Sequence, residues 1–178
     1  MPPRLKIVLA CALAAFAAGF APAGASAYEI AGRAWPSGEI RYHIQDDALR
    51  TPVKRAAKIW NRRGLSVRFV SSDADSARVF IRIGQRNCGG AARVGYPGRR
   101  GVSGVEINRD CGTGIATLTA VHEFGHVLGL GHEGDACARM NPTFGAGGTP
   151  GRCKRNSLSY WLDHPLTKDD VRGARAMY

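Results

Sequence analysis

Carboxylates are scarce in this chain, and long apolar runs are few. Only 14 Asp and Glu stand against 25 Lys and Arg, a formal net charge of +11. Such a balance favours polyanionic partners over cationic ones. The basic residues are scattered in pairs such as Arg62-Arg63, Arg99-Arg100 and Lys154-Arg155, with no aromatics interleaved. That pattern argues against specific nucleic-acid recognition and for solubility or loose adhesion to an anionic surface. No apolar run reaches the roughly 20 residues of a helical membrane span. The sequence also lacks a C-x-x-C pair, which speaks against a cysteine-rich zinc site, and it lacks internal repeats.

The one sizeable apolar run, residues 7–20, has a different meaning. Arg4 and Lys6 precede it and Ala25-Ser26-Ala27 follows, giving the charged, apolar and A-x-A regions of an export signal over residues 1–27. The mature chain is then expected to start at Tyr28, to be secreted, and to form one domain over residues 28–178. A monomer is expected. Without Arg4 and Lys6 the formal charge is still +9. Without Cys11, four cysteines remain, an even set that in an exported protein reads as two disulfides. Three pairings are open. Nearest-neighbour pairing, Cys88 with Cys111 and Cys137 with Cys153, is preferred.

Apolar periodicity orders the rest of the chain. From Gly38, Ile40, Tyr42 and Ile44 alternate with Arg41, His43 and Gln45 as in a strand. Residues 46–63 carry helical spacing, with Val53, Ala56, Ala57 and Trp60 as the stripe. Strands follow at 65–70 and 77–83, then a glycine-rich stretch, 84–104, with a short edge strand near 91–96. Residues 102–108 alternate again, and 115–130 read as a helix. The stretch 135–162 has few regular signals. Thr167-Lys168-Asp169-Asp170 resembles a capping box that opens a last helix. This order is an α+β layer arrangement. Asp73 and Asp75, in a polar turn, are a candidate calcium pair, although a solvated turn is the simpler reading.

The chemistry is concentrated in His122-Glu123-Phe124-Gly125-His126-Val127-Leu128-Gly129-Leu130-Gly131-His132-Glu133, which contains H-E-x-x-H-x-x-G-x-x-H. Residues four apart share a helix face, so His122 and His126 can offer two imidazoles to one ion. Gly129, free to take positive φ, turns the chain and brings His132 back as a third ligand. Three imidazoles leave a tetrahedral Zn²⁺ one open position, the catalytic arrangement. Glu123, one residue off the ligand line, is placed to act as general base.

The run 122–132 resembles the metzincin clan of zinc endopeptidases and, within it, the matrixin (matrix metalloprotease-like) family. Trp35-Pro36-Ser37-Gly38-Glu39-Ile40-Arg41-Tyr42 looks like a matrixin opening. Tyr96-Pro97-Gly98 and Gly104-Val105-Glu106-Ile107-Asn108 look like its edge strand and the strand before the active-site helix, and residues 166–178 like its closing helix. The resemblance implies a zincin-like fold, a twisted and mostly parallel five-stranded sheet with three helices, and a cleft beneath the edge strand. It implies a methionine-containing turn under the metal at Met140, and a primed-side pocket wall made by Pro142, Thr143 and Phe144. Glu133 stands where matrixins usually carry Ser. It matches the astacin-like branch, but the residues expected after it there are missing, so the matrixin reading is kept. Only His43 precedes His122, so the second, structural zinc of animal matrixins is not expected. A cysteine-switch propeptide is not expected either, because Tyr28 is too close to Trp35. The function implied is a secreted zinc endopeptidase acting on protein or peptide. The competing readings are a zinc hydrolase of a cell-wall amide and an inactive zinc-binding adhesion module.

Overall fold

The computed structural model describes residues 28–85, 88–108 and 110–178. The export segment expected over residues 1–27 lies outside them. Five strands, β1 (Gly38–Ile44), β2 (Val67–Ser71), β3 (Val79–Ile83), β4 (Gly90–Ala92) and β5 (Ser103–Ile107), form one sheet in the order β2-β1-β3-β5-β4. The first four in that order run parallel, and β4 pairs antiparallel with β5 at the edge. Helices α1 (Arg50–Asn61), α2 (Gly112–Leu128), α3 (Leu158–Asp163) and α4 (Lys168–Met177) complete the α+β fold. Three of them have ten residues or more, and α3 is a short turn and a half.

Each element follows from its residue pattern. In β1, Ile40 and Tyr42 are buried while Glu39 and Arg41 face water, the period-2 split of a sheet with one covered face. The α1 stripe of Val53, Ala56, Ala57 and Trp60 is buried throughout. A single turn, Asp47–Leu49, leads into α1, capped by the Asp46 carboxylate, which accepts from Ala48 N at 2.9 Å. Pro52 sits in the first turn of α1, where a missing N–H costs nothing. Helix α2 is different: every residue from Ala116 to Leu128 is buried, so it is a central helix and not a surface one. Phe124 of α2 stacks on Phe69 of β2 with ring centroids 4.3 Å apart, and Trp60 Nε1 of α1 donates to Val121 O at 2.9 Å. Helix α2 is thus clamped between the sheet and α1.

Two local expectations change. The edge strand spans Gly90–Ala92 and not 91–96. Gly95 takes φ +72° and breaks the strand, and its N–H donates to His126 O at 2.8 Å. The chain after β4 therefore binds the end of α2 instead of extending the sheet. Helix α3 lies inside the stretch that showed few signals. It is opened by Ser157, whose side chain accepts from Tyr160 N, and Trp161 is its one buried anchor. Two disulfides, Cys88–Cys111 and Cys137–Cys153, lie before α2 and after it.

Candidate metal centre and cleft

The end of α2 builds the centre. Gly129 adopts φ +111°; its N–H donates to His126 O at 2.8 Å, and Leu130 N donates to Gly125 O at 3.0 Å, a Schellman closure. A Cβ at this position would also push the end of the Met177 side chain, 2.5 Å away at Cε, but it is the conformation that requires glycine. Beyond the turn the chain doubles back, and His132 Nε2 comes to 3.1 Å from His126 Nε2. One ligand atom from each of His122, His126 and His132 lies within 4.8 Å of the other two.

The ring tautomers are set from behind. His122 Nδ1 lies 2.8 Å from Arg139 O, and His126 Nδ1 lies 2.8 Å from Leu130 O. A carbonyl can only accept, so Nδ1 carries the proton and Nε2 keeps its lone pair for the centre. Burial, then the neighbouring His126, push His122 down to about 3, and burial lowers His126 as well. Both imidazoles stay neutral near pH 7, the form that ligates a metal. The residues present therefore fit a divalent ion with a preference for imidazole. His43 and His164 lie elsewhere, bonded to Ser72 O and Tyr160 O. Asp73 caps a local turn by accepting from Ser76 N at 2.8 Å, and the three-histidine group is the one metal-type cluster among the described residues.

Glu123 is 2% exposed and borders the same cleft. This cleft, about 550 Å³, lies against the histidines and β4 and is also lined by Glu29, Ala31, Val94, Pro142 and Phe144. Gly90 of β4 makes room for the acid, since a Cβ there would meet Glu123 Oε1 at 2.6 Å. Nothing in the glycine-rich stretch singles out Gly90 by sequence.

Met140 is buried below the histidine pair. A Cβ on Gly125 would lie 2.4 Å from Met140 Sδ, so the thioether packs directly on the helix between His122 and His126. The turn that carries it hangs on Asp170. This carboxylate accepts from Arg139 N at 2.9 Å, Met140 N at 3.1 Å and Thr167 N at 2.7 Å. The sequence suggests Asp170 only as a capping residue. The capping box is present, and the same carboxylate also fixes the turn under the metal centre. Beyond Met140, Phe144 meets the His122 ring edge-on at 5.0 Å. Pro142, Thr143 and Phe144 also line a second cavity of about 530 Å³, bounded by the Cys88–Cys111 bridge and Gly145, Gly147 and Gly148. The loop after Phe144 thus walls this side pocket and does not cover the histidine cleft.

A mostly parallel five-stranded sheet, a central helix carrying H-E-x-x-H, a third histidine after a glycine turn and a methionine beneath them define a zincin of the metzincin type. Comparison with known families assigns the branch. The profile described as Astacin (Peptidase family M12A) matches residues 28–141, well over half of the chain, and the chain belongs to that family. The Matrixin profile matches residues 108–178. This corrects the matrixin reading. The opening residues 35–42 fall within the astacin match alone, and Glu133, directly after His132, is the astacin-type residue. Glu133 is 3% exposed, and its Oε1 accepts from Asp135 N and Ala136 N at 2.5 and 2.8 Å, so it is a built feature and not a surface substitution.

Relatives include tolloid-like protein 1 of Homo sapiens, 34% identical over 57% of this chain and 10% of that protein. Bone morphogenetic protein 1 of Xenopus laevis is 33% identical over 57% of this chain and 14% of that protein. A hatching enzyme of Paracentrotus lividus is 27% identical over 79% of this chain and 24% of that protein. The chain thus spans between a tenth and a quarter of the length of these curated relatives.

Proposed function

We propose that this chain is a secreted zinc-dependent endopeptidase. The observation that carries the reading is the convergence of three imidazole donors with a buried carboxylate along an open sheet edge. His122, His126 and His132 would hold the zinc through their inward nitrogens. When bound, zinc supplies Lewis acidity, lowering the pKa of a water to about 7 and polarising a carbonyl. Glu123 takes the proton of the attacking water and delivers it to the leaving amine nitrogen. Its burial at 2% exposure keeps bulk solvent from competing for that proton.

Strand β4 ends the sheet, so its outer edge can receive an extended peptide as one more strand. The side chain following the scissile bond then enters the pocket walled by Pro142, Thr143 and Phe144. Met140 is an apolar support and not a ligand. Two disulfides support an oxidising location, and the export segment read over residues 1–27 would deliver the enzyme there. No helix of the described residues is long and apolar enough to cross a membrane.

The test is casein cleavage by purified wild type and Glu123→Ala, with zinc content measured on both. Zinc in both samples with cleavage by wild type alone is expected. Zinc in both with no cleavage of casein or of any peptide library would move the function to a non-peptide amide, such as a cell-wall polymer, or to binding. Loss of zinc in Glu123→Ala would make Glu123 a structural residue and not the base.

A further inference from the structure

The solvent faces of α1 and α4 each carry a row of exposed basic residues. On α1 and its cap, Arg50, Lys54, Lys58 and Arg62 recur every four residues and are all exposed. On α4, Lys168, Arg172 and Arg175 recur at four and three residues and are exposed, while Asp169 and Asp170 of the same helix are buried. Arg63, just past the α1 cap, and Lys168, Arg172 and Arg175 of α4 line a groove of about 490 Å³, with Leu166 and Val171 as its apolar part. Arg175 Nε and Nη2 donate to Arg63 O at 3.3 and 3.1 Å, which ties α4 to the turn after α1.

These rows work against helix stability. Like charges four apart repel on a helix surface, and α1 with its cap carries three such pairs in succession. Arg50 pairs with Asp47 and Arg172 with Asp169. Among the described residues, no ion pair serves Lys54, Lys58, Arg62, Arg63, Lys168 or Arg175. A locally unfavourable pattern of this kind is the sort of departure expected at a functional surface. Charges about 6 Å apart along roughly 18 Å of helix suit a linear polymer with regularly spaced anions. No aromatic residue lines the groove and none is exposed on the two rows, so base stacking has no platform.

We infer that the basic row of α1, continued through Arg63 to α4, is an exosite for a linear anionic polysaccharide, read through its sulfate, phosphate or carboxylate groups. The buried face of α1 packs on α2, so the row lies on the side of α1 away from the histidine cluster. It can hold the enzyme on an anionic matrix with the cleft free.

The test is fluorescence anisotropy with a labelled heparin oligosaccharide as probe, titrated at several salt concentrations. The variant Lys54→Gln/Lys58→Gln is compared with Arg99→Gln/Arg100→Gln, an exposed loop pair of equal charge loss. The expected result is about tenfold weaker binding and a shallower salt dependence for the α1 variant, with the loop variant near wild type. Hydrolysis of a short peptide should be unchanged in both, and the binding readout stands whether or not the peptidase reading does. Equal weakening by the two variants would mean that net charge alone acts, and would overturn the exosite. Tighter binding of a single-stranded oligonucleotide than of the oligosaccharide at the same ionic strength would overturn the choice of partner.

Discussion

An alanine at position 90 would put a methyl group 2.6 Å from Glu123 Oε1 and 2.7 Å from Glu106 O. The second contact is backbone of β5, so relief requires β4 to shift as well as Glu123, and the carboxylate loses its place against the cleft. A general base is worth about 10²–10⁴ in rate and depends on position to within a fraction of an ångström. Gly90→Ala is therefore expected to lower kcat/KM on a peptide by about 100-fold while zinc content stays at wild-type level, since none of the three histidines is touched. Activity within twofold of wild type would mean that the carboxylate tolerates displacement. The three histidines and Glu123 are legible in the sequence because their spacing is a local property of one helix and one turn. Gly90 and Asp170 are not, because what they do depends on partners about 30 residues away that only the folded chain brings near.

At the scale of elements, the active-site helix is held at its C-terminal end by residues from both ends of the domain. A helix end leaves carbonyls without intrahelical partners. Here Trp35 Nε1 donates to Val127 O at 2.7 Å, and the Tyr178 hydroxyl donates to Leu128 O at 2.6 Å while accepting from Trp35 N at 3.1 Å. Tyr178→Phe removes both hydroxyl bonds and leaves a carbonyl and an N–H unpaired, a loss of about 2 kcal/mol. Burial raises the Tyr178 phenol above its ordinary value. Its folded pKa thus exceeds the unfolded value of about 10, so its contribution is complete below pH 10 and is lost as pH rises through the folded value. Wild type should lose stability in that alkaline window more steeply than Tyr178→Phe in chemical denaturation, and parallel curves would contradict the assignment. Order and type of the long elements are legible from periodicity, as the buried stripe of α1 illustrates. Helix α3 is not: six residues give too few repeats for a helical period, and Ser157 is its main local cue.

For the whole molecule, the clan is legible and the branch is not. The zinc motif specifies chemistry common to several families, and residues 166–178, which suggested matrixin, lie within the part of the chain that the matrixin profile also matches. Glu133 carries the branch information, but a single residue weighs less than the longer stretches at 35–42 and 166–178. The two disulfides let the fold be probed as a unit. Cys88–Cys111 and Cys137–Cys153 close sequence separations of 23 and 16 residues, so each should contribute about 3 kcal/mol through the unfolded state. Removing either is then expected to lower Tm by a similar amount, on the order of 10 °C. Activity should separate them. Cys137–Cys153 spans a turn already fixed by Asp170 and by Asn141, whose side chain bonds Glu133 O and Ala136 O. The first bridge ties the residue before Gly89 and Gly90 to the cap of α2, and β4 is an edge strand of three residues paired with β5 alone. Cys88→Ser/Cys111→Ser should therefore loosen the cleft wall, raising KM and lowering kcat well below the values for Cys137→Ser/Cys153→Ser at a temperature where both are folded. Equal kinetics in the two variants would show that β4 keeps its place through the sheet alone.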